Sequence, residues 1–133
     1  MTASRLSALV LTLVVVAGCQ SDPQSARGVA ERFIDQHYVR IDLAAARPFC
    51  VGVALKKVTD EQRLTEGQAI DASTRTPTVR YRLIETQGDP EQPSFLFEGT
   101  ISVDDAGEFK RKWLISARRD GGTWKVSNFE EFD

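Results

Sequence analysis

Cysteine and histidine are scarce in this chain of 133 residues, which contains two cysteines and one histidine. A metal site needs several thiolate, imidazole or carboxylate ligands at recurring spacings, and the chain offers no such set. Two cysteines allow one disulfide at most, so a disulfide-dense scaffold is excluded. With His37 as the single histidine there is no visible Ser-His-Asp arrangement, and nothing indicates that Cys50 is an activated nucleophile. We expect neither a metal nor a cofactor.

Long runs of one charge and long apolar runs are missing as well. The 17 basic and 19 acidic residues are dispersed and give a formal net charge of −2, so no nucleic-acid partner is expected. No glycine-rich loop follows a strand ahead of a helix, as phosphate binding would require. The one extended apolar stretch, Leu6 to Val16, is too short for a transmembrane helix, which needs about 20 residues.

The N-terminus has the order of features of a secretion signal. Arg5 is the only charged residue ahead of the apolar stretch, and no acidic residue occurs before Cys19. The stretch closes with the run Val16-Ala17-Gly18-Cys19, which resembles the lipobox of bacterial lipoproteins. The resemblance implies that residues 1–18 are a cleaved signal peptide and that Cys19 carries a diacylglyceryl group. Residues 19–24 would then form a short tether between the lipid and the fold.

The residue after that cysteine bears on the destination of the protein. In lipoproteins of bacteria with two membranes, an aspartate at this position commonly retains the protein at the inner membrane, and here the position holds Gln20. The resemblance therefore implies a protein of the cell envelope, anchored by lipid in the outer membrane and facing the periplasm. The alternative is an ordinary cleaved signal with an incidental cysteine, which would leave Cys19 free to pair with Cys50.

Residues 25–133 suffice for a single domain, and its first half is predicted to be helical. Asp22 and Pro23 can open a helix that runs to about Tyr38, because apolar residues recur at spacings of three and four. Asp42 is predicted to cap a short helix over residues 43–46, which the proline at position 48 ends. A third helix is predicted over about residues 49–66.

From residue 78 the apolar period changes to two, which predicts four strands over residues 78–87, 94–104, 108–119 and 123–129. Turns at 88–90, 105–107 and 120–122 separate them. The face predicted to be apolar carries Val79, Tyr81, Leu83, Phe95, Phe97, Ile101, Val103, Phe109, Trp113, Ile115, Ala117, Trp124 and Val126. Charges of alternating sign occupy the other face, as on a solvated sheet. We predict an α+β domain in which N-terminal helices pack on an antiparallel four-stranded sheet.

This order of elements, with Asp42 after the first helix and the run Asp-Gly-Gly-Thr-Trp-Lys-Val at 120–126, resembles the nuclear transport factor 2-like superfamily, particularly its small bacterial lipoproteins. The resemblance implies a cystatin-like cone, in which a curved sheet wraps the helices and leaves a pocket at its wide end. Ketosteroid isomerases, polyketide cyclases and many non-catalytic binding domains share this fold. No hairpin is evident between the helices and Val79, so we expect a smaller or more open pocket.

Four residues are candidates for lining such a pocket. His37 extends the apolar stripe of the first helix, although a capped or surface-edge histidine is the simpler interpretation, and Tyr38 could offer a phenol or serve as core. Trp113 points inward with the sheet core. Arg111 shares that face and could bind an anion, pair with a carboxylate of the helical layer, or reach solvent at the end of the sheet. Asp42 is expected to be a helix cap.

The pattern favours a membrane-anchored, non-catalytic module that binds a ligand or a protein through its concave face. The ligand would be small and either apolar or anionic. A small isomerase or cyclase is the second hypothesis, and it predicts a buried carboxylate–hydroxyl pair in the cavity, near His37, Tyr38 and Asp42. The third is a purely structural lipoprotein that forms a homodimer, in which Phe97 and Trp113 would fill the cavity.

Overall fold

The computed structural model describes residues 21–67 and 77–133. The predicted signal peptide and Cys19 lie outside the described residues, as do residues 68–76, where an additional hairpin would fall. Within the described part of the chain no helix is long and apolar enough to cross a membrane.

The first helix, α1, spans Ala26–Ile34 and is capped by Ser25 rather than by Asp22. The Ser25 hydroxyl accepts a hydrogen bond from the Gly28 N–H at 3.0 Å, as an N-cap residue does. The Asp22 carboxylate instead accepts from the Gln24 N–H at 2.9 Å, which stabilises the turn ahead of the helix. The predicted cap is therefore wrong by three residues. A turn residue and a cap residue satisfy similar backbone donors, so the sequence pattern does not separate them.

The predicted continuous helix to Tyr38 is also corrected, because α1 ends in a π-helical turn, Asp35–Val39. The Arg40 N–H donates to the Asp35 carbonyl at 2.9 Å, one residue further along than in an α-helix. Ile41 then adopts a left-handed conformation, with φ of 53°, which reverses the chain. The wider turn changes the direction in which the side chains of residues 37 and 38 leave the helix.

Two further helices complete the helical layer. Helix α2 spans Leu43–Ala46, and Asp42 caps it as predicted by accepting from the Ala45 N–H at 3.0 Å. A 3₁₀ turn, Arg47–Phe49, follows. Helix α3 spans Gly52–Leu64 and begins later than predicted. The delay has a tertiary cause, since the Val51 N–H donates to the Val126 carbonyl at 2.9 Å and holds the chain extended beside the sheet.

The sheet has four antiparallel strands in sequence order: β1 (Thr78–Asp89), β2 (Gln92–Val103), β3 (Gly107–Asp120) and β4 (Thr123–Phe132). This confirms the predicted meander, although β4 extends three residues beyond its predicted end. The strand register shifts between Leu83 and Glu85 and again between Ser116 and Ala117. Such irregularities bend the strands that contain them, which helps the sheet to curve around the helices.

The core lies between α1 and the concave face of the sheet. Its largest fully buried side chains are Trp113, Phe33, Phe97, Ile34, Ile115, Val58 and Val126. The predicted inward face of the strands is confirmed except at the end where β3 begins, where Phe109 is 43% exposed. The Trp113 ring crosses the sheet over Gly99, and a Cβ atom on Gly99 would lie only 2.3 Å from Cη2 of Trp113. Glycine at 99 is therefore required by the close approach of the indole ring.

Replacing Gly99 with alanine should destabilise the domain by about 1–3 kcal/mol, because the added methyl group overpacks the core against Trp113. Urea unfolding of the isolated domain, residues 21–133, measures the loss. In the double variant Gly99→Ala/Trp113→Phe the smaller ring lacks the clashing atoms, so its loss should be less than the sum of the two single losses. Additive losses would contradict this account of the contact.

Candidate functional site

An open cleft of about 580 Å³ lies where the π-helical turn, α3 and the end of β4 meet. The residues that line it are His37, Tyr38, Lys57, Glu61, Phe129, Glu130, Glu131 and Phe132. Two of the four predicted pocket residues, His37 and Tyr38, are thus placed side by side in one cleft. The π-helical turn makes this pairing, because both side chains lie within its five residues. Irregular helical turns of this kind are frequent at functional sites.

His37 is held in one orientation by contacts on several sides. Its Nε2 atom lies 2.7 Å from Oε2 of Glu61 on α3, and its side chain is only 9% exposed. The ring stacks on Phe33 with centroids 5.1 Å apart and contacts the Phe129 ring at 5.0 Å. Its Nδ1 atom is buried with no hydrogen-bond partner among the described residues. This geometry is satisfied when Nε2 carries the proton, so that the Nε2–H donates to the Glu61 carboxylate.

Tyr38 forms the wall that separates the cleft from the hydrophobic core. Its ring stacks on Trp113 with centroids 4.3 Å apart and planes 11° from parallel. Burial raises the pKa of the Tyr38 phenol above its ordinary value, and the carboxylates of Glu131 and Glu61 raise it further. The phenol is therefore protonated across the physiological range and can donate a hydrogen bond. Trp113 supports the cleft from behind Tyr38 and is itself fully buried.

The charge of the cleft is predominantly negative. Lys57 is the one cation among the described residues that line the cleft. Its ammonium group donates to Oδ1 of Asn128 at 2.8 Å and to the Phe129 carbonyl at 2.7 Å. Lys57 therefore serves to attach α3 to β4. Three carboxylates remain along the walls, those of Glu61, Glu130 and Glu131. This composition suits a ligand that carries a positive charge or several hydrogen-bond donors.

Arg111 is engaged by acidic residues of the last strand. Its guanidinium lies 3.6 Å from Oε1 of Glu131 and also contacts the Asp133 carboxylate, while its side chain is 35% exposed. The carboxylate partners of Arg111 thus come from β4 and the C-terminus, and not from the helical layer, which was one of the alternatives. The cause is the continuation of β4 to Phe132, which places these acidic residues beside β3. Arg111 is linked to the cleft through Glu131 and does not line it.

The carboxylate–hydroxyl pair expected of an isomerase is not formed by Tyr38 and Asp42, since Asp42 caps α2. A pair of this kind occurs elsewhere, where the Tyr81 hydroxyl donates to Oδ1 of Asp35 at 2.6 Å. It joins β1 to the π-helical turn and borders a different depression, beside residues 21–24. Burial, followed by the contact with Asp35, raises the pKa of Tyr81 above its ordinary value.

Cys50 is the free cysteine of the described residues and is buried. Its thiol lies 3.5 Å from the Ala46 carbonyl. Burial, followed by the charge of Glu61, raises its pKa to about 12. A thiol that stays protonated and inaccessible is a structural residue rather than a nucleophile.

The residues of the cleft that sequence reasoning missed are Lys57 and Glu61 of α3 and Phe129 to Phe132 of β4. Lys57 and Glu61 are four positions apart, so they share one face of a helix. That spacing is a weak signal, because it is equally typical of a solvated helix surface. The end of β4 gave no signal, since its acidic residues are those of an exposed tail.

No model of a known protein family matches the chain, and no curated protein matches it in sequence. Solved structures do match its fold. A chain named Rd1NTF2_05, with five substitutions, superposes with a TM-score of 0.52 at 12% identity, over 80% of this chain and 96% of its own. An NTF2-like protein of unknown function from Pseudomonas putida gives a TM-score of 0.51 at 16% identity, over 80% of this chain and 84% of its own.

An NTF2-like protein from Burkholderia thailandensis covers 81% of this chain and 89% of its own, with 13% identity and a TM-score of 0.43. At such identities the likeness of the two better-superposed structures concerns the fold alone. Together with the curved sheet and its helical layer, it confirms the fold predicted above.

The two tyrosines of the chain provide a test of the burial around the cleft. Both phenols have raised pKa values, so the folded protein should show no tyrosinate absorbance as the pH passes the ordinary tyrosine pKa of about 10. Above that pH the folded state binds these protons more tightly than the unfolded chain, so stability should fall as the pH rises. Both tyrosines should then ionise together at alkaline unfolding. Ionisation near pH 10 with intact circular dichroism would contradict this.

The chain has the NTF2-like fold, an α+β architecture of helices packed on a curved four-stranded antiparallel sheet.

Proposed function

We propose that this protein is a bacterial lipoprotein whose NTF2-like domain is a non-catalytic binding module, held by lipid on Cys19 at the periplasmic face of the outer membrane. The anchor is supported by the run Val16-Ala17-Gly18-Cys19 after a short apolar stretch. The choice of membrane is supported by Gln20, which stands where inner-membrane lipoproteins commonly have aspartate.

The tether in this proposal is short. Ser21 already contacts the domain, since its hydroxyl donates to Oε1 of Glu31 on α1 at 3.1 Å. Two residues of extended chain reach at most about 7 Å, so the domain would rest close to the lipid surface. A module held so near the bilayer acts on partners that are themselves at or near the membrane.

The binding role rests on one observation, the open cleft that remains at the rim although Trp113 fills the cone, as the structural hypothesis also predicts. This indole, packed over Gly99 and covered by Tyr38, occupies the interior where a deep pocket would otherwise lie. The concave face keeps the open cleft at its rim, and an open cleft suits a side chain or terminus of a partner better than an enclosed substrate. Catalysis by proton transfer would need the reacting groups to be shielded from water, whereas the Glu61 side chain is 37% exposed.

The carboxylates around the cleft support a cationic ligand over the small apolar or anionic ligand expected from the sequence. Arg111, the residue that could have bound an anion, is already paired with Glu131 and Asp133. Glu61 and Glu130 add negative charge on the other walls, and Tyr38 supplies an aromatic face. The proposed ligand is therefore an ammonium or guanidinium group, carried by a small molecule or by a protein partner.

A homodimer through the outer face of the sheet is the less favoured arrangement. That face carries ion pairs, among them Arg82 and Lys110 with Glu98, at 3.2 and 3.6 Å. The same cations lower the pKa of Glu98. Such a surface is well solvated, and the homodimer hypothesis would have to bury these charges.

Lipidation is tested by growing cells that express the full chain with radioactive palmitate and by measuring the mass of the purified protein. The wild-type protein should lose residues 1–18, gain the mass of the lipid and fractionate with the outer membrane. The Cys19→Ser variant should carry neither label nor lipid mass. Label on the serine variant, or a membrane-bound wild type without lipid, would overturn the anchor.

The charge of the ligand is tested by nuclear magnetic resonance of the isolated domain, residues 21–133. Spermidine is the cationic probe and inorganic phosphate is the anionic one. Spermidine should shift the amide signals of His37, Glu61 and Glu131, and phosphate should not. The Glu61→Gln/Glu131→Gln variant should lose the response, whereas Glu85→Gln/Glu91→Gln, with the same change of charge on the β1–β2 hairpin, should retain it. A response to phosphate alone would reverse the proposed charge of the ligand.

A further inference from the structure

One corner of the domain collects cations that lack an acidic partner. We call it the basic corner and define it by the following residues: Arg32, Arg47, Arg118, Arg119 and Lys125. They come from α1, from the 3₁₀ turn before α3 and from the β3–β4 hairpin. Among the described residues none of the five forms an ion pair with a carboxylate.

The arrangement differs from the rest of the surface, where most cations are paired. Arg27 pairs with Glu31, Lys56 and Arg63 with Asp60, Arg80 with Glu108, Arg82 and Lys110 with Glu98, and Arg111 with Glu131. Asp120 is the acidic residue within the β3–β4 hairpin, and Asp89 and Glu91 belong to the adjacent β1–β2 hairpin. Of the cations that form no ion pair among the described residues, five therefore lie at the corner where β3 and β4 meet, whereas Arg40, Lys57 and Lys112 lie elsewhere.

Aromatic rings lie within the basic corner and pack against its cations. The Arg32 guanidinium lies 4.6 Å from the centre of the Phe49 ring, and the Arg119 guanidinium lies 4.8 Å from that of Trp124. The Lys125 ammonium donates to the Pro48 carbonyl at 2.7 Å, a contact that leaves its charge uncompensated. Partly exposed tryptophan among basic side chains is typical of surfaces that rest at the headgroup level of a bilayer.

The chain enters the domain at this same corner. Pro23 and Gln24 line a groove of about 410 Å³ together with Phe49, Trp124 and Lys125. Cys19 precedes Pro23 by four residues, so a lipid on that cysteine would lie within about 14 Å of the groove even with the chain fully extended. The basic corner therefore lies within reach of the proposed anchor, as does the depression where Ser21 contacts Glu31.

We propose that the basic corner docks on anionic phospholipid headgroups of the membrane that holds the lipid anchor, an inference that rests on the proposed function. Docking would fix the orientation of the domain. The cleft adjoins the far end of α1, and α1 with its π-helical turn is about 20 Å long. The acidic cleft would therefore be presented away from the anionic surface, where a cationic group can reach it.

Tryptophan fluorescence can test this, because the chain has two tryptophans and Trp113 is fully buried. The full chain is purified from membranes and reconstituted in vesicles of brominated phosphatidylcholine, with or without phosphatidylglycerol. Bromine should quench the fluorescence of Trp124 when phosphatidylglycerol is present. Raised salt should reverse the quenching, because it screens the attraction between the basic corner and the anionic headgroups. The Trp124→Phe variant should show no quenching, which assigns the signal.

Charge variants with equal net change give the control. The Arg47→Gln/Arg118→Gln variant should lower the ratio of docked to undocked protein about 30-fold, because each cation near an anionic surface strengthens binding about 5-fold. Neither of these arginines stacks on Trp124. Lys110→Gln/Lys112→Gln, on the outer face of the sheet, should leave the quenching unchanged. Equal quenching without phosphatidylglycerol, absence of quenching, or equal loss in the control variant would each overturn the docking proposal.

Flotation with pure phosphatidylcholine vesicles separates this proposal from the lipid anchor. Protein that floats but shows no quenching of Trp124 retains its anchor and refutes docking by the basic corner. Protein that fails to float on phosphatidylcholine refutes the anchor, and its flotation with phosphatidylglycerol then measures the basic corner alone. In that case flotation that depends on Arg47 and Arg118 supports docking, and failure to float refutes it.

Discussion

The contact of Trp113 with Gly99 and Tyr38 is the constraint on which the rest of the structure depends. The indole ring lies directly over the glycine of β2 and is covered on its other face by the stacked phenol ring of Tyr38. A ring of this size fills the interior between α1 and the sheet, and within the described residues an open cleft lies at the rim of the concave side. The proposed binding site therefore lies at the edge of the cone and not in its middle.

Charge is distributed unevenly along the direction of α1. The end that bears the π-helical turn also bears the carboxylates of Glu61, Glu130 and Glu131, whereas the five cations of the basic corner gather beside Pro23 and Gln24. Folding stability does not explain this separation of charges, because even exposed ion pairs contribute little to it. The docking proposed above would account for the separation, because it orients the domain at an anionic surface with its acidic cleft directed outward.

Local patterns predicted the elements well and their ends less well. The period-two alternation gave four strands, and the Asp42 cap of α2 was predicted from a side chain that meets its own helix. The errors occurred where tertiary contacts decide the boundary. Val51 is held extended by Val126, and β4 continues to Phe132 through pairing with β3. Neither contact can be predicted from the neighbouring residues, because each joins segments that are far apart in the chain.

The sequence by itself determined the order of helices and strands, the inward face of the sheet and the proposed lipid anchor, because these depend on periodicity, turn residues and a contiguous motif. It also singled out His37 and Tyr38. Only the tertiary structure joined them to Glu61, paired Arg111 with the last strand and gathered unpaired cations from three elements at one corner. Sites of this kind are assembled by long-range packing, and a π-helical turn of five residues redirects side chains in a way that no helical period predicts.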